Sequence, residues 1–456
     1  MCRGWLGVST LLTCLALLLG LAGLTVWCLS LGLDPDQYLV LLDAGSVHTS
    51  VYTYRASRSN QGQLNATETH FCELGQTGIS SFVHSPAEAA RFVSESDCVQ
   101  ESVKLVPRAV LPHSSLVLGS TAGMRLLRLS QPAIAQQILA NLSLALGGAV
   151  RGLEANAIVL GGTEEGRAGW LTAAMLSKGR VGALDWGGAS AQLTRPVADA
   201  APDSRLNEVP LYSRSHMCYG QAEARARHKA ALASTAMLNM TSATKVIMVE
   251  DPCLPPGATT TAVPAASLFL SPCTTPANMT TMLQLRNTTK TVQFIPSVLE
   301  AAARRRQCAA LVQEQFQPRS CRAQWAVQPG EETCLDPDTI PPPLPLPHLA
   351  FSTYWYLVKG LGLPESFQLS VYRAAVERVC ERNMTDLALT RLGGVAPAAC
   401  FQAQFMLELL TTGYHFDNSS WARIRFVRRV NGAEVGWTFG YAVMQADRGQ
   451  HEQESR

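Results

Sequence analysis

Apolar and polar positions fall in short runs along most of this chain, and the runs separate into strands that end on polar turns and longer stretches with helical spacing. The run Tyr38-Leu-Val-Leu-Leu42 delivers Asp43-Ala-Gly45-Ser46, and residues 47–52 then alternate like a half-buried strand. The same order recurs in Gly182-Ala-Leu-Asp185-Trp-Gly187-Gly188-Ala-Ser190-Ala-Gln192-Leu193. Each stretch reads as strand, turn, strand, with the aspartate at the tip. Two copies of one unit predict a duplicated α/β fold whose two lobes face a shared ligand. Residues 86–106 and 131–146 have helical spacing. Leu116-Val-Leu118 and Ile158-Val-Leu160 read as buried strands running into small-residue loops, Gly119-Ser-Thr121-Ala122-Gly123-Met-Arg125 and Gly161-Gly-Thr-Glu164-Glu165-Gly166. Residues 195–346 are looser, rich in Thr, Ala and Pro, and read as a disulfide-stapled, loop-rich elaboration of one lobe. Gly436-Trp437-Thr-Phe-Gly440-Tyr441 is expected to return to the first lobe as a strand or a helix.

The turns suggest chemistry, each beside an ordinary structural reading. Glycines in a tight turn let an anion approach backbone N–H groups, and a neighbouring carboxylate can hold a divalent cation. The ordinary alternative is a hairpin turn and nothing more. Glu164 and Glu165, at the end of a strand, suit a general base; they also suit the first turn of a helix over 170–176, where acidic side chains complement the dipole. The aromatic group Phe351-Ser-Thr-Tyr354-Trp355-Tyr356 is either core or a platform for a nucleobase. The chain has no G-x-x-x-x-G-K-[ST] loop and no H-E-x-x-H, so phosphate chemistry here would rest on the Asp-x-Gly hairpins.

Composition narrows the setting. A net charge of +2 with 16% charged residues in 456 gives no basic surface for nucleic acid. Arg304-Arg-Arg306 and Arg428-Arg429 read as solvated faces. Residues 5–33 carry no charged side chain, which is longer than a signal-peptide core and long enough to span a bilayer. The expectation is a signal anchor with residues 1–4 cytosolic and the remainder outside the cell; a cleaved signal, giving a secreted or luminal protein, is the alternative. Of 13 cysteines, Cys2, Cys14 and Cys28 lie within or just before that segment, and an even number follows it, as suits disulfides in an oxidising compartment. Glycosylation sequons begin at Asn65, Asn141, Asn239, Asn278, Asn287, Asn383 and Asn418.

Five ordered segments resemble the apyrase conserved regions of the ecto-nucleoside triphosphate diphosphohydrolases. They are Asp43-Ala-Gly-Ser-Val-His-Thr-Ser50, Ser120-Thr-Ala-Gly-Met-Arg125, Glu164-Glu-Gly166 with Gly169-Trp170, Asp185-Trp-Gly-Gly-Ala-Ser-Ala-Gln192, and Phe351-Ser-Thr-Tyr-Trp-Tyr356. The resemblance spans residues 37–441 and implies two ribonuclease-H-like lobes of the actin–hexokinase superfamily around a cleft. Lobe I would hold residues 34–160, completed by about 421–446; lobe II would hold 161–420; and 447–456 would be a polar tail. It implies hydrolysis of extracellular nucleoside tri- and diphosphates to monophosphates with Ca²⁺ or Mg²⁺, self-association being left open. By position, Glu165 would activate the attacking water, and Ser190 and Gln192 would hold that water. Asp43 and Asp185 would hold the metal through its water shell. Ser46, Val47, His48, Thr121, Ala122, Gly187 and Gly188 would cradle phosphates, and Tyr356 would stack on the base. The resemblance also implies the pairs Cys72–Cys98, Cys218–Cys273, Cys253–Cys308, Cys321–Cys334 and Cys380–Cys400. Val47 stands where the family usually has serine, Arg167-Ala168 replaces a small-then-aromatic pair, and Trp186 is bulkier than usual. These departures keep a non-catalytic nucleotide-binding protein as the alternative.

Overall fold

Two five-stranded sheets share one topology. The computed structural model describes residues 37–58, 64–149, 152–197, 209–238, 245–275, 279–317 and 335–454. The first sheet is built from β1 (Gln37–Ala44), β2 (Thr49–Arg58), β3 (Leu64–Gly75), β4 (Ser115–Ser120) and β5 (Glu154–Val159), in the order β3-β2-β1-β4-β5. Its first three strands form an antiparallel meander, and β4 and β5 add in parallel. The second lobe repeats the plan with β6 (Gly182–Trp186), β7 (Ser190–Pro196) and β8 (Leu211–Met217) as the meander. The chain then builds a separate three-stranded sheet from β9 (Val246–Asp251), β10 (Val263–Pro264) and β11 (Thr291–Pro296). It returns to the second sheet as β12 (His348–Ser352) and β13 (Ile424–Phe426), giving the order β8-β7-β6-β12-β13. A small hairpin, β14 (Arg429–Val430) with β15 (Ala433–Glu434), precedes the last helix.

The central strands are buried on both faces, which explains their unbroken apolar runs. Val40 and Leu42 of β1 enter one cluster with Leu116, Leu118 and Ile138, while Leu39 and Leu41 enter another with Trp170 and Phe439. That second cluster lies where the Gly162–Ser177 helix meets the Trp437–Glu454 helix. The two approach closely: the Gly440 amide donates to Thr172 Oγ1 at 2.8 Å, and a Cβ on Gly440 would fall 2.0 Å from the Ala168 carbonyl oxygen. The stretch 436–441 therefore returns as a helix.

Several expectations are corrected. The aspartates are not at the turn tips but inside the strands, Asp43 paired with Ser50 and Asp185 with Gln192. Residues 86–106 split into helices Pro86–Ser94 and Asp97–Lys104, with Asp97 opening the second in an acidic first turn. The region after β8 has a sheet and a core of its own, around Ile247, Val249, Phe269 and Phe294, so it is more ordered than a loop-rich elaboration. Arg304 is buried, donating to the carbonyls of Cys380 and Glu381, because those helix-end acceptors lack intrahelical partners. Trp186 is wholly buried in the second lobe, its indole N–H on the Tyr219 carbonyl at 3.0 Å and its ring stacked on Phe405, so its bulk fills core rather than cleft.

Disulfides join Cys72 to Cys98, Cys218 to Cys273, Cys253 to Cys308, and Cys380 to Cys400. Cys321, Cys334, Asn239, Asn278 and the apolar segment 5–33 lie outside the described residues. Among the described residues no helix is long and apolar enough to cross a membrane. Asn287, Asn383 and Asn418 are exposed, and Asn141 is half-buried.

Candidate active site

The duplicated hairpins place their turns face to face. In the first lobe, Asp43 stands opposite Ser50 on one side and Gly119 on the other. In the second, Asp185 stands opposite Gln192 and Phe351. The turns nearly touch: a Cβ on Gly188 would lie 3.1 Å from both Ser46 Cβ and Val47 Cγ1. A side chain at 188 would push the turns a few tenths of an ångström apart. The second turn is fixed from behind by the start of the Gln221–Leu238 helix, whose Gln221 and Ala222 amides donate to the Gly187 and Gly188 carbonyls at 2.9 and 2.8 Å.

Glu165 enters from the first turn of the Gly162–Ser177 helix. Glu164 and Glu165 lie in the first turn of this helix, which begins at Gly162 rather than near residue 170, and Glu165 turns inward, 7% exposed. Its Oε2 accepts from Arg125 Nη1 at 2.8 Å and from Gln192 Nε2 at 3.1 Å. Gln192 Nε2 also lies 2.8 Å from Ser190 Oγ and 3.1 Å from Ser215 Oγ, so its two hydrogens are shared among three acceptors. Among the described residues, the Gln192 carbonyl oxygen has no hydrogen-bond partner although it is buried, leaving an acceptor beside Glu165 for a ligand or water. Arg125 reaches Ser190 Oγ at 3.2 Å and the Leu160 carbonyl at 2.9 Å, so one guanidinium joins two lobes.

Charge at the site is unbalanced. Burial raises the Glu165 carboxyl above its ordinary range, and Arg125 opposes that rise. Asp185 is pushed up to about 8, first by burial and next by the like charge of Glu165, with Asp43 adding to it and a Ser352 hydrogen bond opposing it. Asp43 is also raised by burial, against the pull of His48. The three carboxylates act on one another, Arg125 answers Glu165, and His48 lies near Asp43. A divalent cation fits that donor set: hard carboxylate oxygens, from two facing strands, whose mutual repulsion a cation would relieve.

The remaining sequence-derived residues are placed as follows. Thr121 and Ala122 begin the Ala122–Ser130 helix, whose free N–H groups suit an anion. Ala122 is packed with Ala189 and Met217 under the second turn. Ser46, Val47 and His48 lie in the first turn, Val47 and His48 exposed. In the aromatic group, Phe351 and Tyr354 are core, whereas Tyr356 is 54% exposed and meets Trp355 edge to face at 5.0 Å. Arg167 points out to solvent. Two residues quoted within motifs had no assigned part. Arg125 is one; the other is Ser352, at φ 59°, a left-handed backbone for a non-glycine residue, where its hydroxyl bonds Asp185. An arginine closing a small-residue loop was the available signal for the first; no sequence signal marked the second.

Residues 33–454 match the GDA1/CD39 (nucleoside phosphatase) family. The chain is similar to mouse (Mus musculus) ectonucleoside triphosphate diphosphohydrolase 2, at 30% identity over 464 residues covering 93% of this chain and 86% of that protein. It is similar to ectonucleoside triphosphate diphosphohydrolase 8 of Bos taurus, at 28% identity over 96% of this chain and 88% of that protein. Its fold resembles the crystal structure of a nucleoside triphosphate hydrolase from Neospora caninum, with a TM-score of 0.59 at 15% identity, covering 96% and 97% of the two chains. The chain belongs to the GDA1/CD39 nucleoside phosphatase family and is an enzyme of that family.

Proposed function

We propose that this enzyme hydrolyses nucleoside tri- and diphosphates to monophosphates and phosphate, with Ca²⁺ or Mg²⁺. The observation that carries the reading is Glu165 held by Arg125 and Gln192 beside two Asp-bearing hairpins. Phosphoryl transfer needs an in-line water and compensation of charge on the phosphate oxygens. Glu165 takes the proton of that water. Ser190 and the open carbonyl oxygen of Gln192 orient it, and the fixed turn at Gly187 and Gly188, seated against Ser46 and Val47, would border the phosphates together with that first turn. The start of the Ala122–Ser130 helix adds N–H groups. Asp43 and Asp185 would hold the divalent cation through its waters, and the bound cation would offset phosphate charge. Tyr356, 54% exposed with Arg428 over its ring at 5.8 Å, would stack on the base.

The same reading takes the two sheets as ribonuclease-H-like lobes of the actin–hexokinase type, lobe I over 34–160 with 421–446 and lobe II over 161–420. It places the catalytic part outside the cell, anchored by residues 5–33, with glycans at the exposed sequons. Phosphate release from ATP, ADP, UTP, UDP and GDP, each with Ca²⁺ and with Mg²⁺, tests it. Release with the intact chain, and a loss of about a thousandfold or more in Glu165→Gln with nucleotide binding retained, supports the reading. Binding without release in the intact chain would leave a nucleotide-binding protein instead.

A further inference from the structure

A hollow of about 540 Å³ opens in the second lobe between the Leu369–Glu381 helix and the end of the Thr353–Gly360 helix. Its floor is apolar, formed by the buried side chains of Val379, Leu387 and Leu392. Its rim carries Arg378, Arg382 and Arg391, all exposed. The volume falls in the range of small-molecule sites, about 300–1,000 Å³.

The arginines have no visible structural task. Lysine or arginine in a last helical turn commonly serves the terminal carbonyls. Here that work belongs to Arg304, which reaches the Cys380 and Glu381 carbonyls from another helix at 3.2 and 3.4 Å. The acidic side chains of the same helix are taken as well, Glu377 by Arg305 Nη1 at 2.8 Å and Glu381 by Arg305 Nε at 3.1 Å. Among the described residues none of the three rim arginines is in an ion pair. Arg378 lies in the last turn of the helix and Arg382 just beyond its end, so two like charges face one rim. Leu389, 85% exposed, stands on the same rim as an apolar wall with nothing against it.

We infer that this hollow binds a small amphipathic anion, an apolar body on the Val379–Leu392 floor with one sulfate, sulfonate, phosphate or carboxylate head on the arginine rim. Guanidinium groups take such oxyanions through paired N–H donors, and an apolar floor adds affinity that an inorganic anion cannot gather. The site is separate from the nucleotide cleft and does not depend on the proposed reaction.

Calorimetric titration of the full chain tests this with four probes of one shape series: 2-naphthalenesulfonate, 2-naphthoate, 2-naphthol and inorganic sulfate. The two naphthyl anions should bind at least about tenfold more tightly than neutral 2-naphthol or sulfate. Saturating ADP should leave their titration unchanged. Arg378→Gln and Arg391→Gln should each weaken the naphthyl anions about tenfold with no change in melting temperature, because both side chains are exposed. Comparable binding of 2-naphthol would show an apolar hollow only and overturn the inference. So would displacement by ADP, or unchanged binding in the doubly substituted, folded chain. The sulfonate and carboxylate arms distinguish which head group the rim prefers.

Discussion

Arg125 donates to Glu165 at 2.8 Å, and both side chains are buried where the two lobes meet. The pair sets the state of the proposed base. Burial pushes the Glu165 carboxyl up, and Arg125 is the largest force holding it down. A base works only when ionised, so removing the guanidinium raises its pKa and moves the acidic limb of the rate profile to higher pH. Arg125→Ala should shift the limb in kcat upward by about one unit or more, and should lower the plateau about a hundredfold as Ser190 and Glu165 lose orientation. Breaking such a buried pair from one side also costs about 3–5 kcal/mol of stability. Rate profiles and melts of the same preparation separate the two effects. An unshifted limb in a folded variant would remove Arg125 from this role.

Cation binding should release protons. Asp185 is pushed up to about 8 and is therefore largely protonated at neutral pH before a cation arrives. A cation bound at Asp43 and Asp185 favours the ionised carboxylate, so affinity should rise with pH, by up to about tenfold per unit, and flatten above about 8. Ca²⁺ titrations near pH 7 in buffers of differing ionisation enthalpy would report the released proton. Chelation with EDTA should abolish phosphate release, and added cation should restore it.

Much of this site was legible because its parts are local. An apolar run, Asp-x-Gly and a second run suffice to mark a hairpin, and two such hairpins suffice to suggest facing lobes. What was misjudged depended on distant partners. The strand bonds that put Asp43 and Asp185 inside β1 and β6 come from Ser50 and Gln192 across the turn, so the ladder extends past the aspartate. Arg125 lies 40 residues from Glu165, and nothing local announces their meeting. Trp186 alternates with its neighbours like any strand residue, but its burial is decided by Tyr219, Tyr354 and Phe405, from three other segments. The alternation of Val246–Asp251 was a signal available in sequence; its burial runs exposed, buried, exposed, as a strand with one face on the core and one on solvent requires.

His348 should make the fold acid-sensitive. It is 1% exposed, and burial lowers its pKa to about 4, while Nδ1 lies 3.0 Å from the Leu346 carbonyl, which suits the neutral ring with that nitrogen donating. The unfolded chain protonates near the ordinary value of about 6.5. Between those values the unfolded state binds more protons, so stability is complete above about 6.5 and falls as pH drops toward 4, by about 3 kcal/mol in all. Denaturant melts across that window should show the fall, and His348→Gln should remove most of its slope. A parallel slope in the variant would assign the acid sensitivity to other groups.

Gly188 and Val47 supply a test of how close the two turns must come. An alanine at 188 would put its Cβ 3.1 Å from Val47 Cγ1 and from Ser46 Cβ, so the turns must separate by a few tenths of an ångström. Neither lobe's core is touched, so the melting temperature should hold. The two turns that border the proposed phosphate site would lose their register, and Gly188→Ala should raise KM about tenfold while lowering kcat less. Val47→Ser replaces the two crowding methyls with one hydroxyl. In the double variant part of the contact is relieved, so the losses should not add. A coupling of about 1 kcal/mol in kcat/KM is expected from a double-mutant cycle, because the two positions are in direct contact. Additive effects would mean that the turns do not work at the distance found here, and that Gly188 is retained for its backbone alone.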